Sequence, residues 1–229
     1  MALIAHANSL IVYYFNTFVF YLILNTMVSD FKYKLDIFLY AKQNDLLIKS
    51  AFPALFASSK KVVFNKGEQL RFKYNDIPHL IFLHQGAILG TLYGNGNQLY
   101  KALKVQKSIF LNGPCNFTPF EIDEQEWIVA NKAEITAISL NLLLEKVEEI
   151  EGARSRIEKH ITDVILFDFQ CYHKLLNISP LQGKVDYLVE HLPLCLEKTN
   201  KYLAEYLNVS QNGLANAINQ WGKINFEEE

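Results

Sequence analysis

Between residues 62 and 139, short apolar runs alternate with turn-forming residues. The runs are 62–64, 79–83, 87–93, 99–105, 108–111, 127–130 and 134–139. They are cut by Asn65-Lys66-Gly67, Gln85-Gly86, Gly94-Asn95-Gly96-Asn97 and Asn112-Gly113-Pro114. Short strands at this spacing, punctuated by Gly and Asn, predict an antiparallel barrel or sandwich. Gly94 to Asn97 sits between two runs and predicts a tight hairpin, because Asn and Gly accept the positive φ angles that such turns require.

After Ser139 the period changes from two to about three and a half. Leu143, Val147, Ile150, Arg154, Ile157, Ile161, Val164, Asp168, Cys171 and Leu175 fall at alternating spacings of four and three. That spacing is the seam of a long helix packed on a partner helix. The seam residues Leu143, Val147, Ile150, Ile157, Ile161 and Val164 are therefore candidates for a dimer interface. A helix lying against its own β-domain would produce the same pattern. Arg154 and Asp168 interrupt the seam, Gly152 weakens the helix, and Ser179-Pro180 breaks it.

The last segment reads as two short helices and a turn. Leu203 and Leu207 face inward from the first helix and Ala204 allows a close crossing. Asn208 suits a left-handed turn residue. Ser210 is a ready N-cap for a second helix, in which Leu214, Ala217, Ile218 and Trp221 repeat on one face. Gln211, Asn212, Ala215, Asn216 and Asn219 then face outward, as the residues of a recognition helix do. The plain alternative is an ordinary helix pair. Beyond Trp221 only Gly-Lys-Ile-Asn-Phe-Glu-Glu-Glu remains, so a wing is either reduced to one short strand or missing.

Composition changes this picture little. The chain has 229 residues, half of them apolar, and a net charge of −2, so it is neither disordered nor a strongly basic binder of nucleic acid. Cys115, Cys171 and Cys195 are scattered and read as small buried hydrophobes, with a redox role for Cys115 as the sharper alternative. His79 and His84 lie on one run, five residues apart, and would point to opposite faces, so no cupin-like metal set forms. No phosphate loop, nucleophile elbow or carboxylate pair supplies a catalytic candidate. The expectation is a non-enzyme without metal or other cofactor.

Strands, then a long helix, then a helix-turn-helix resemble the Crp/Fnr family of bacterial transcription regulators. The residues that carry the resemblance are Phe64-Asn-Lys-Gly-Glu68, the strand-turn-strand from His79 to Gly90, the closing strand Ile135-Thr-Ala-Ile-Ser139 and the helix from Gly183 to Glu190. It implies an α+β chain. An antiparallel β-roll or jelly-roll of about eight strands would occupy 30–140, a dimerisation helix 141–178, and a helix-turn-helix of reduced winged-helix type 179–229. It implies a cytoplasmic homodimer on palindromic double-stranded DNA, with RNA polymerase as a further partner. Ser210, Gln211, Asn212 and Asn216 would contact DNA, and Lys201 and Lys223 would hold its backbone. Amide side chains pair bidentately with adenine, which points to A·T-rich half-sites.

The chain departs from the family where cyclic nucleotides bind. Cyclic-nucleotide-binding members hold the ribose and phosphate with a Gly-Glu pair and an Arg, whereas no Arg occurs here between Arg71 and Arg154. Lysine is only a point charge in such a place, so cyclic AMP is not expected to bind. The alternative function is a dimeric regulator that has lost specific DNA binding and acts through a protein partner. Residues 1–29 form a separate apolar segment. Residues 9–28 carry no charge and are long enough to cross a bilayer, but no positive residue precedes them. A translation start at Met27 is the reading adopted. A membrane anchor and an extra buried helix are its alternatives.

Overall fold

A computed structural model of the chain describes residues 32–46, 59–71, 77–114, 122, 124–191 and 200–226. The N-terminal apolar segment, Cys115 and Cys195 lie outside these residues. Among the described residues no helix is long and apolar enough to cross a membrane.

Among the described residues, a helix, α1 (residues 32–43), precedes five strands. These are β1 (Lys60–Phe64), β2 (His79–Gly94), β3 (Asn97–Val105), β4 (Ser108–Asn112) and β5 (Glu124–Ser139). All pairings are antiparallel, in the order β1-β5-β2-β3, with β4 also on β2. One edge of β2 is shared in succession, first by β4 at His79–Leu83 and then by β3 from Ala87 onward, while β5 pairs along the other edge. A strand whose neighbour changes halfway must curl, and that curl rolls the sheet.

Gln85-Gly86, expected as a turn, lies inside β2 as an irregularity in its pairing with β5. Gly86 has φ +100°, and a Cβ there would stand 2.2 Å from the Lys132 carbonyl oxygen. Glycine therefore marks a β-bulge, which needs the same backbone freedom as a turn but keeps the strand running. Two runs of the sequence merge into β2, and two more merge into β5. Where the hairpin is expected, Asn95 (φ 52°) and Gly96 (φ 73°) close β2 onto β3 with Gly94 opposite Asn97. Two consecutive positive φ angles define the turn whose twist suits a hairpin.

The long helix is two helices. Here α2 (Leu140–Lys146) is capped by the Ser139 hydroxyl, and α3 (Ala153–Asn177) starts after Gly152 at φ 73°. The expected dimer seam is corrected as well. Leu143, Val147, Ile157 and Ile161 are buried in the core of their own chain, and Ile150 and Val164 pack against it half-buried. A repeat of three and four says that one face is apolar and not what covers it; the β-roll covers this one. The outward face of α3 instead carries Lys159, Asp163, Phe167 and Gln170, with Phe167 51% exposed.

Asp168 breaks the seam because it has a partner. Its carboxylate lies 2.5 Å from the Lys104 ammonium of β3, with side chains 12% and 6% exposed. The chain then continues through α4 (Leu181–His191), α5 (Asn200–Leu207) and α6 (Gln211–Phe226).

Candidate nucleic-acid interface

The helix-turn-helix is built from a few local rules. Leu203 and Leu207 of α5, Leu214 and Ala217 of α6, and Val185 and Leu188 of α4 are buried together. Asn208 adopts φ 54°, the left-handed conformation that turns the chain after α5. Val209 N–H returns to the Ala204 carbonyl at 2.9 Å, closing the end of that helix. The Ser210 hydroxyl accepts a hydrogen bond from the Gly213 backbone N–H at 3.1 Å, so the α6 start has its cap. Replacing Ser210 with Ala should cost about 1 kcal/mol, the usual worth of such a cap. Chemical denaturation of the two proteins checks it, and an unchanged midpoint would mean that the cap contributes nothing.

Ser210, Gln211, Asn212 and Asn216 are all exposed, as are Asn219 and Gln220. The described part of this α6 face is thus made of uncharged amides. Lys201 is exposed on α5 with its ammonium 5.5 Å from the Tyr202 ring centre. Lys223 belongs to α6, which runs on to Phe226. Gly222 to Phe226, where a short wing strand was one expectation, continue the α6 helix instead.

Two lysines that the sequence reading passed over hold the end of α5. Lys101 of β3 donates to the Glu205 carbonyl at 3.2 Å and lies 3.6 Å from the Glu205 carboxylate. Lys184 of α4 donates to the Leu207 carbonyl at 3.4 Å. Cations at the negative end of a helix, bonded to its last carbonyls, stabilise that end. Nothing local in the sequence points to either contact, because each joins separate elements.

The interior between the β-roll and α3 is filled. Trp127 is buried with its ring 4.3 Å from that of Phe110, and its Nε1 donates to the Gln125 side chain at 3.0 Å. A Cβ at Gly90 would fall 2.4 Å from the indole, so glycine is what lets Trp127 lie there. The space left among Leu80, Tyr100, Phe110, Trp127, Ile165 and Asp168 amounts to about 10 Å³. That is room for roughly one water.

A third cluster joins α1 to the sheet. His84 Nε2 lies 2.8 Å from the Thr136 hydroxyl, and His84 Nδ1 is 3.7 Å from the Asp36 carboxylate. Tyr33 bonds Glu134 and stacks edge-on to His84 at 4.6 Å, with the Lys61 ammonium over its ring. The acid–base–hydroxyl order resembles a catalytic relay, but His84 and Thr136 are both buried within the sheet. Burial pushes the His84 pKa down from 6.5 to about 4, against the pull of Asp36. The unfolded chain therefore binds this proton first, and stability is present above 6.5 and lost as pH falls towards 4. Melting temperature should drop over that window by less in His84→Gln than in the wild type; parallel curves would discard the histidine as the cause. Among the described residues no group of three His, Cys, Asp or Glu could hold a metal.

No protein-family signature and no curated protein sequence matches the chain. Solved structures do match its fold. FixK2 of Bradyrhizobium japonicum has a TM-score of 0.55 at 13% identity, over 73% of this chain and 86% of that one. A cyclic nucleotide-binding domain containing protein from Listeria monocytogenes EGD-e gives 0.52 at 14%, over 78% and 88%. A transcriptional regulator of the Crp/Fnr family from Eubacterium rectale gives 0.50 at 10%, over 76% and 83%. The chain thus shares the α+β fold of Crp/Fnr regulators and cyclic-nucleotide-binding-domain proteins.

Proposed function

We propose that this chain is a homodimeric, sequence-specific DNA-binding transcription regulator that does not respond to cyclic AMP. The observation that carries the reading is the exposed amide face of α6, set behind a left-handed Asn208 and a Ser210 cap, at the end of a Crp/Fnr fold. Ser210, Gln211, Asn212 and Asn216 contact base edges in the major groove, where Gln and Asn pair bidentately with adenine. Lys201 and Lys223 hold the phosphate backbone, which fixes register without reading sequence.

Dimerisation falls to the outward strip of α3, because the expected seam is spent on the chain's own β-roll. Phe167 is a large apolar side chain on that strip, flanked by Asp163 and Gln170. An exposed aromatic ringed by polar residues is the composition of an interface centre. The absence of any arginine between Arg71 and Arg154 argues against a bound cyclic nucleotide. The protein works in the cytoplasm, with RNA polymerase as a further partner.

Selection of genomic fragments by the purified full chain at near-physiological salt tests the reading. A two-fold symmetric, A·T-rich motif with half-sites about 10 base pairs apart is the expected product. Retention without a motif, or no retention, overturns it in favour of a dimer that acts through a protein partner.

A further inference from the structure

The contacts between α5 and the β-roll decide how the recognition helix is aimed. The inner side of α5, Leu203 and Leu207, packs on α6, whereas Tyr202 and Tyr206, one turn apart, are buried on its other side. Tyr206 meets Tyr172 of α3 with ring centres 5.9 Å apart, and the Tyr172 hydroxyl accepts a hydrogen bond from Gln98 of β3 at 3.1 Å. The Tyr202 hydroxyl reaches the Asn65–Glu68 turn, 3.8 Å from where a side chain at Gly67 would begin. At the C-terminal end, Lys101 of β3 grips Glu205 by both its carbonyl and its carboxylate, and its own side chain is only 16% exposed.

The helix that leads into α6 is therefore fastened at three points, one on α3 and two on the roll, and Lys101 holds the same Glu205 carbonyl that accepts a hydrogen bond from the Asn208 backbone N–H at 3.3 Å. We propose that Lys101 is a positioning residue that fixes the angle of the recognition helix and, through it, the half-site spacing that the dimer accepts. This rests on the regulator reading above. A two-fold dimer reads two half-sites only when its recognition helices stand one helical turn apart, so a rotation of α5 on the roll changes which spacing fits. Lys101 touches no base in this arrangement. Its loss acts on geometry and leaves the amide face of α6 as it was.

The test uses the full chain, with Lys101→Met, Lys101→Arg and Glu205→Gln beside the wild type. Each is presented with duplexes carrying one half-site, and with two half-sites whose spacer varies one base pair at a time. The wild type should prefer one spacer by about tenfold or more, an energy difference of roughly 1.4 kcal/mol. Lys101→Met should bind a single half-site as the wild type does, with its spacer preference reduced to about threefold or less. Lys101→Arg, which can reach the same oxygens, should restore the preference, and Glu205→Gln, which keeps the carbonyl, should lie between. If Lys101→Met fails to fold, Glu205→Gln decides by the same spacer readout. An unchanged spacer preference overturns the role, and so does tighter binding of the single half-site, which would make the contact inhibitory. A wild type that retains no half-site overturns the regulator reading itself, and this role with it.

Discussion

Replacing Asp168 with alanine is expected to lower stability by about 3–5 kcal/mol, the cost of breaking a buried ion pair from one side. Lys104 and Asp168 lie 2.5 Å apart between β3 and α3, both nearly closed to solvent. Burial pushes the Asp168 carboxyl above the ordinary carboxylate range, and the Lys104 ammonium pulls it back down. With the carboxylate gone, Lys104 keeps a charge in a buried layer between β3 and α3, or must give up its proton to remain there. The pair as a whole need not stabilise the fold, because removing both charges also removes both desolvation costs. A Lys104→Met, Asp168→Leu double variant is therefore expected to recover most of what Asp168→Ala loses. Denaturant unfolding of the three proteins measures it. A single variant within about 1 kcal/mol of the wild type would mean that water reaches the site and screens the lysine.

Trp127→Ala is expected to cost about as much, 3–5 kcal/mol, by a different route. The indole lies over Gly90 and beside Phe110 in an interior with almost no free volume. Gly90 cannot move in to fill the gap, since it has no side chain, and the strands on either side are held by their ladders. A dry apolar cavity is left, of the kind that takes up small aromatic molecules. Added indole should raise the melting temperature of Trp127→Ala and leave the wild type unchanged. A variant as stable as the wild type would show that the roll collapses onto the space.

The parts of the helix-turn-helix that were legible are those decided within a few residues. Asn208 in the left-handed region, Ser210 as a cap and the Leu203, Leu207, Leu214 face follow from local conformational preference and helical period. Gly94 to Asn97 is legible for the same reason, since a hairpin of this type needs positive φ at two successive residues. Gly86 was misread because glycine marks any backbone that other residues avoid, and a bulge and a turn share that mark. The eight strands implied by resemblance and the seven runs read from the pattern contract to five described strands. Bulged strands run through their irregularities and pair on both sides.

Where the period changes from strand to helix, which face of each helix is apolar, and how the final turn is built are all legible along the chain. These are properties of neighbouring residues, and a neighbour's identity is all that backbone preference and periodicity need. What covers each apolar face is set by long-range packing. The seam through Leu143, Val147, Ile157 and Ile161 is turned onto the chain's own roll, leaving Phe167 outward. Only the tertiary structure paired Lys104 with Asp168, closed the interior with Trp127 over Gly90, and brought Lys101 to the end of α5. Each of these joins residues from separate elements, and their meeting is fixed by how the sheet curls, which no local preference records.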